Sequence, residues 1–367
     1  MRRTPRLLAL SAMTLSLTGC GALDGATSPQ RFPERDNHIT VGVLMPETTN
    51  TRFANFDYPI IKNQVADLTE QQGKVEYANA DASVDRQKRQ MQRMIDEHVD
   101  VILLDAVDAH AVAGLVRSAE DGHIPVVAYD RLAEGPIDAY VSFDNELVGE
   151  VQARTLLAAL GADAGPSDKV VMMNGSPTDP NTAQFRQGAL SELKNQVNVA
   201  ASYDTEDWSP KYAAEHMAQA IKKIGGSHIA GVYSANDAMV SGIITALKKA
   251  GVTTMPPITG QDADLDALRR IVTGEQYMTV YKPYQTEAEA AAKIAIAKVQ
   301  SRDIVFDSLT QDRVDSPTEK DIPSRLLTVT AVTRDNIDST VVADDLYKVS
   351  DICTAEYETA CADIGLK

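Results

Sequence analysis

What most constrains this chain is an order that repeats from residue 39 onward: a short extended run, then a longer amphipathic stretch, then another short run. Extended runs at 39–45, 74–80, 101–104 and 124–129 alternate with segments of helical period at 53–70, 83–98 and 109–121. Strands alternating with helices of this length build βαβ units, whose right-handed crossovers make neighbouring strands parallel. Most of the strand runs are apolar throughout, as expected where helices cover both faces of a sheet. A second series with the same grammar follows, with extended runs at 170–173, 197–203, 229–234 and 257–259 and helical segments at 181–193, 211–224 and 237–250. Two such series without a long linker predict an α/β fold of two similar lobes side by side. A last helix is expected over 284–300, then a charged segment, 301–323, running over the surface, and a final apolar run at 326–332.

The N-terminus carries different information. Arg2, Arg3 and Arg6 precede an apolar run of about a dozen residues that ends in Leu17-Thr18-Gly19-Cys20. That run is shorter than the roughly 20 residues a membrane-spanning helix needs, so 1–19 reads as a cleavable signal peptide. Leu-Thr-Gly-Cys resembles the bacterial lipobox, which makes Cys20 the expected lipid attachment point and 20–38, polar and without period, a tether. The two remaining cysteines, Cys353 and Cys361, form an even pair in a chain bound for an oxidising space, and a disulfide between them is expected in the tail, 351–367. The formal charge of −17 becomes more negative once the leader arginines are removed, which argues against nucleic acid as a partner.

In open parallel sheets ligands bind outside the carboxyl ends of the strands, so the residues directly following each extended run are the informative ones. They are Arg52 and Phe53 after the first, Asp130 and Arg131 after 126–129, Asn174 to Ser176 and then Asn181 after 171–173, Asn236 and Asp237 after 232–234, Asp262 after 258–259, and Lys282 after 279–281. A sugar ring offers hydroxyls that donate and accept, and apolar C–H faces above and below. Recognising it takes carboxylates, Arg or Lys, Asn, and aromatic rings. The strand ends supply the polar classes, while Phe53 and the sole tryptophan, Trp208, supply rings. Each residue also has a plainer reading: Asp130-Arg131 as a surface ion pair or helix cap, Trp208 and Phe53 as core. Asn236 is expected to face the ligand and Asp237 to cap the following helix. Asn145 reads as a hinge or cap residue. The histidines show no metal-ligand spacing, and neither a metal nor another cofactor is expected.

At this point the segments 126–131 (VVAYDR), 141–145 (VSFDN), 175–177 (GSP), 234–238 (SANDA), 259–264 (TGQDAD), 278–283 (MTVYKP) and 322–327 (IPSRLL) together resemble the D-xylose-binding group of type I periplasmic binding proteins. The resemblance implies two Rossmann-like lobes with parallel sheets, joined by a three-crossing hinge and closing over one aldopyranose. It implies polar contacts from Arg52, Asp130, Arg131, Asn181, Asn236, Asp262 and Lys282, with Phe53 and Trp208 stacking. Phe53 stands where the family commonly has tryptophan, and the cysteine pair lies outside the family pattern. The expected division is 39–144 plus 262–325 for the N-terminal lobe and 145–261 plus 326–350 for the C-terminal lobe. The expected function is that of a monomeric substrate-binding lipoprotein of an ABC importer for a xylose-like pentose or related hexose, working with a membrane permease. A sugar sensor for a membrane receptor and a glycoside-processing enzyme using Asp130 and Asp262 are the alternatives. A sugar-responsive repressor is disfavoured, since an export signal and no DNA-binding headpiece precedes the first strand.

Overall fold

Parallel pairing of the first series is met in a seven-stranded sheet, in a computed structural model that describes residues 37–367. The leader, Cys20 and nearly all of the expected tether lie outside the described residues. The strands are β1 (Thr40–Met45), β2 (Lys74–Asn79), β3 (Val101–Leu104), β4 (Val126–Tyr129) and β5 (Ala139–Phe143), followed by a second group, β6 (Lys169–Asn174), β7 (Asn198–Asp204) and β8 (Ile229–Ser234). Four short strands close the chain: β9 (Thr279–Tyr281), β10 (Asp312–Val314), β11 (Ile322–Leu327) and β12 (Thr330–Val332). The first sheet runs β10-β11-β5-β4-β3-β1-β2, and only its edge pair β10–β11 is antiparallel. Both faces are covered. Val41, Val43, Leu103 and Val127 pack under the helices Tyr58–Leu68 and Tyr284–Val299, while Leu44, Ile102, Leu104 and Val126 pack with Met91, Met94 and Val116 on the opposite face. Alternate residues of one strand thus enter two different cores, which is why the runs carry no polar alternation.

The second sheet has β6 between β7 and β8, all parallel. Beyond β8 the expected strand at 257–259 contracts to a single parallel bridge between Val232 and Ile258. The ladder nevertheless continues, because Val280 N–H donates to the Gly260 carbonyl (3.1 Å) and Asp262 N–H to the Val280 carbonyl (2.9 Å). β9 therefore lies beside 258–262 and pairs antiparallel with β12. The division given above assigns 262–281 to the first lobe, whereas these hydrogen bonds set that stretch beside the second sheet. The helices Asn145–Leu160 and Pro180–Leu193 cover this sheet in very close contact. A Cβ on Gly149 would meet the Phe185 carbonyl oxygen at 2.0 Å, and one on Gly188 the Glu146 carbonyl oxygen at 1.9 Å.

Two stretches differ from expectation. The charged segment 301–323 is not simply surface loop, since it holds the helix Asp303–Leu309 and the edge strand β10. The apolar run 326–332 is two strands rather than one: β11 ends in the first sheet and β12 begins beside β9, so its apolar residues serve two cores. Between the sheets the chain passes three times, after β5, after β9 and after β11. Phe143, Tyr284 and Leu327, one from each passage, form their own buried cluster with Phe56 packed against it. Cys353 and Cys361 are disulfide-bonded.

Candidate binding cleft

The carboxyl ends of β1, β4, β6 and β8 open on one cavity, and every side chain expected from the strand ends to contact ligand lines it. Arg52, Phe53, Asp130 and Arg131 come from the first sheet's rim, Asn181, Trp208 and Asn236 from the second's, and Asp262 and Lys282 flank β9. The cavity leaves about 30 Å³ for a water-sized sphere, well below the roughly 300–1,000 Å³ typical of small-molecule sites, so the two rims meet with little room between them.

Arg52 anchors the first rim. It lies just before one turn of π-helix, Phe53–Asp57, and is 1 % exposed. Its guanidinium forks onto Asp57 (Nε 2.8 Å, Nη2 3.0 Å), reaches Asp130 through Nη1 (2.6 Å) and pairs with Glu287. It also lies 4.1 Å from the centroid of the Tyr284 ring and 5.2 Å from that of Phe53. One cation facing three carboxylates leaves surplus negative charge in a buried place, and burial pushes Glu287 well above the ordinary carboxylate range despite Arg52. Asp130 goes the other way. Burial raises its carboxyl, but Lys282, Arg52 and Arg131 outweigh burial and hold it below the usual range. That is the opposite of what a general acid requires, which counts against the glycoside-processing alternative.

Several bonds run from rim to rim. Asn181 Nδ2 donates to Asp130 Oδ1 (3.0 Å) and to the Asp130 carbonyl (3.1 Å). Arg131 Nε pairs with Asp179 (2.7 Å) and lies 3.5 Å from Asp105. Asn50 Nδ2 donates to Asp262 (2.8 Å), and Lys282 Nζ pairs with the other Asp262 oxygen at 2.8 Å. The plain alternative of a surface ion pair at Asp130-Arg131 fails on burial, since the two residues are 6 % and 7 % exposed. Asp130 also takes up a left-handed conformation, φ +56°, with its carbonyl accepting from Tyr140 (2.8 Å) and Ser142 (2.7 Å). Trp208, at φ +55°, and Asp262, at φ +97°, are two further non-glycine cleft residues with positive φ. Strain of that kind concentrates where surrounding structure holds a functional side chain in place.

Trp208 and Phe53 each belong to a hydrophobic core and each line the cleft. The Trp208 indole donates to Asp179 (3.2 Å) and meets Phe185 edge-on. Its place depends on Gly175, where a Cβ would fall 2.0 Å from the ring. The capping assignment is corrected: Asn236, not Asp237, caps the helix Asp237–Lys249, accepting from the Met239 N–H (3.1 Å), while still lining the cleft. Asp237 is instead buried behind the Asp262 loop, accepting from Gln276 (2.7 Å), Thr279 (2.7 Å) and the Asp264 N–H (3.0 Å). Burial lifts its carboxyl to about 7, with Arg270 opposing. Asn145 is likewise not the cap of its helix, a role taken by Asp144, and it does not line the cleft.

Sequence reasoning missed Glu47, Asn50, Asp179, Phe185 and Gln261 as lining residues. Glu47 and Asn50 follow β1, and Gln261 stands next to Asp262, so the strand-end rule reaches them. Asp179, preceding Pro180, carries only a capping signal, and it does cap. Asn181 Oδ1 and Gln261 Oε1 are buried acceptors without a hydrogen-bond partner. Such groups are expensive to leave unmatched, and both border the cleft, as suits a ligand rich in hydroxyl donors. Among the described residues no cluster of three or more metal-ligating side chains occurs, and no helix is long and apolar enough to cross a membrane.

Comparison with known proteins agrees with this geometry. Residues 41–303 match the periplasmic binding protein domain. The chain is similar to the D-xylose-binding periplasmic protein of Escherichia coli (strain K12), 35% identical over 76% of this chain and 83% of that protein. It is also similar to the multiple sugar-binding periplasmic receptor ChvE of Rhizobium radiobacter, 28% identical over 85% of this chain and 92% of that one. Among solved structures, an ABC transporter solute binding protein of Clostridium phytofermentans, with β-D-glucose bound, superposes with a TM-score of 0.75 at 23% identity, covering 85% of this chain and 99% of that one.

Proposed function

The chain belongs to the periplasmic binding protein family, and from that premise we propose that it is the substrate-binding lipoprotein of an ABC sugar importer, closing over one free aldose. It is a binding protein rather than an enzyme. One observation carries the reading: charged and amide side chains from the rims of two sheets, together with two aromatic rings, converge on a single small cavity. The first lobe is the seven-stranded sheet with its helices and the second the sheet around β6, the three passages forming the hinge. Sugar shifts the lobes toward closure because only the closed form lets both rims bond it at once. In this reading Arg52, Asp130, Arg131, Asn181, Asn236, Asp262 and Lys282 exchange hydrogen bonds with ring hydroxyls, and Phe53 and Trp208 pack on its faces.

The preferred ligand is a xylose-like pentose or related hexose, in keeping with the names of the two relatives. The protein works as a monomer, held outside the cytoplasmic membrane by a lipid on Cys20, and hands its sugar to a permease. A thermal-shift screen of the 37–367 chain against neutral pentoses, hexoses and glycosides tests this, since a ligand that binds only the native state raises the unfolding temperature. A rise with at least one free aldose is expected. No rise with any sugar, or release of new reducing ends from a glycoside, overturns it.

A further inference from the structure

The chain does not end at the second sheet. Beyond β12 it returns as a tail, 333–367, that lies outside the region matched by the family and wraps over the helix Leu265–Thr273. Ile337, Val341, Ile352 and Cys361 bury against Leu268 and Ile271 of that helix. The tail's far end is closed on itself by the Cys353–Cys361 disulfide and held to that helix by Arg269, which donates to the Asp351 carbonyl (2.7 Å) and lies over the Tyr357 ring at 5.5 Å.

The middle of the tail reaches a different place. Leu346 packs on the cluster of Phe143, Tyr284 and Leu327 that joins the three passages between sheets. Next to it, the Tyr347 ring meets Phe56 edge-on, with centroids 5.7 Å apart and planes at 82°. Phe56 in turn stacks on Tyr284 at 6.0 Å. Tyr284 holds one cleft residue from each side: the Arg52 guanidinium rests on its ring at 4.1 Å, and its hydroxyl donates to the Asp262 carbonyl. Phe56 shares its π-helical turn with Phe53. A column of three rings thus runs from the tail to the side chains that meet across the cleft, its outermost member, Tyr347, standing before the disulfide-closed loop 353–361.

We propose that Tyr347, with Leu346, is a positioning residue for the cleft: through Phe56 and Tyr284 it fixes where Arg52 and Asp262 stand when the cleft closes on sugar. The proposal rests on reading the cleft as the sugar site. Arg52 keeps its ion pairs without the tail, so the effect is graded. An edge-on aromatic pair accounts for roughly three- to tenfold in binding.

The test compares Tyr347→Leu, which keeps buried apolar bulk, with Tyr347→Phe, which keeps the ring. The probe is the neutral aldose giving the largest thermal shift with the parent chain, and the readouts are Kd by calorimetry and the dissociation rate by Trp208 fluorescence. Tyr347→Leu is expected to bind about three- to tenfold more weakly through faster dissociation, with Tyr347→Phe within about twofold of the parent. Parental affinity in Tyr347→Leu overturns the proposal. So does equal weakening in both variants, which would trace the effect to the hydroxyl that the Leu265 backbone N–H bonds. Should Tyr347→Leu not fold, Phe56→Leu breaks the same column from the other side and is judged by the same criteria. A parent that binds no aldose removes the reading of the cleft itself, an outcome distinct from a binding parent with an indifferent variant.

Discussion

Replacing Asp262 by alanine isolates the charge that the second rim brings to the cleft. The side chain is 4 % exposed, accepts from Asn50 Nδ2 at 2.8 Å and pairs with Lys282 Nζ at 2.8 Å. Truncating one partner of a buried, hydrogen-bonded charge pair costs about 2 to 5 kcal/mol, mostly because the other charge is stranded. Here Lys282 keeps a second negative neighbour, Asp130, which places the expected loss near 3 kcal/mol, or about a hundredfold in Kd. The loop keeps its main-chain bonds in the variant, the Asp262 N–H to Val280 (2.9 Å) and the Asp262 carbonyl from Tyr284, so the fold is retained. Alanine also inherits the φ of +97° without relieving it. Titration calorimetry with the best aldose, run beside thermal unfolding without sugar, should show about a hundredfold weaker binding with the unfolding temperature lowered by less than about 5 °C. Asp262→Asn, which keeps the acceptor for Asn50 but not the charge, should fall between. Affinity within about threefold of the parent in Asp262→Ala would mean that this carboxylate neither touches the ligand nor holds Lys282 toward it.

Other perturbations probe the same framework. Arg52→Met removes the cation shared by Asp57, Asp130 and Glu287 and should lower stability by about 3 to 5 kcal/mol as well as abolish binding; denaturant unfolding that matches the parent would contradict its role as hub. Asp237, raised to about 7 by burial and sharing its surroundings with Asp264, Asp262 and Arg270, binds a proton in the native state that the unfolded chain has already lost above about pH 4. The associated stabilisation is complete below about pH 4 and lost as pH rises through about 7, so the unfolding temperature should fall between pH 5.5 and 8, and Asp237→Asn should flatten that fall. An unchanged slope in the variant would assign the titration elsewhere. Gly175→Ala places a methyl group 2.0 Å from the Trp208 ring and should weaken sugar binding at least about tenfold while shifting the emission of the sole tryptophan; parental emission and affinity together would show that the ring has no fixed seat.

The strands of the first series were open to sequence reading because parallel strands covered on both faces are unbroken apolar runs, and Val101–Leu104 and Val126–Tyr129 show this plainly. The rim residues were open to it as well, since a strand fixes where its carboxyl end points. The same logic failed where one run serves two sheets: residues 326–332 look continuous, yet Leu327 joins the hinge cluster and Val332 packs beneath the tail. It also failed for counter-charges. Glu287 sits within a helix and Asp57 within a turn, and neither position hints that it meets Arg52, because those pairings are made across the fold rather than along the chain. Asn236 took the capping duty expected of Asp237, while still lining the cleft, for a related reason. Both are good caps by residue type, and tertiary partners at Gln276 and Thr279 decide which of the two is drawn inward.

The claim under all of this is that both rims grip one hydroxyl-bearing ring. A crystal structure of the 37–367 chain with the aldose selected by thermal shift measures it outright. The account predicts a single sugar in hydrogen-bonding reach of Arg52 or Asp130 on one side and of Asn181, Asn236 or Asp262 on the other, with Trp208 against a ring face. A sugar held by one rim alone, or bound anywhere outside this cleft, would contradict it.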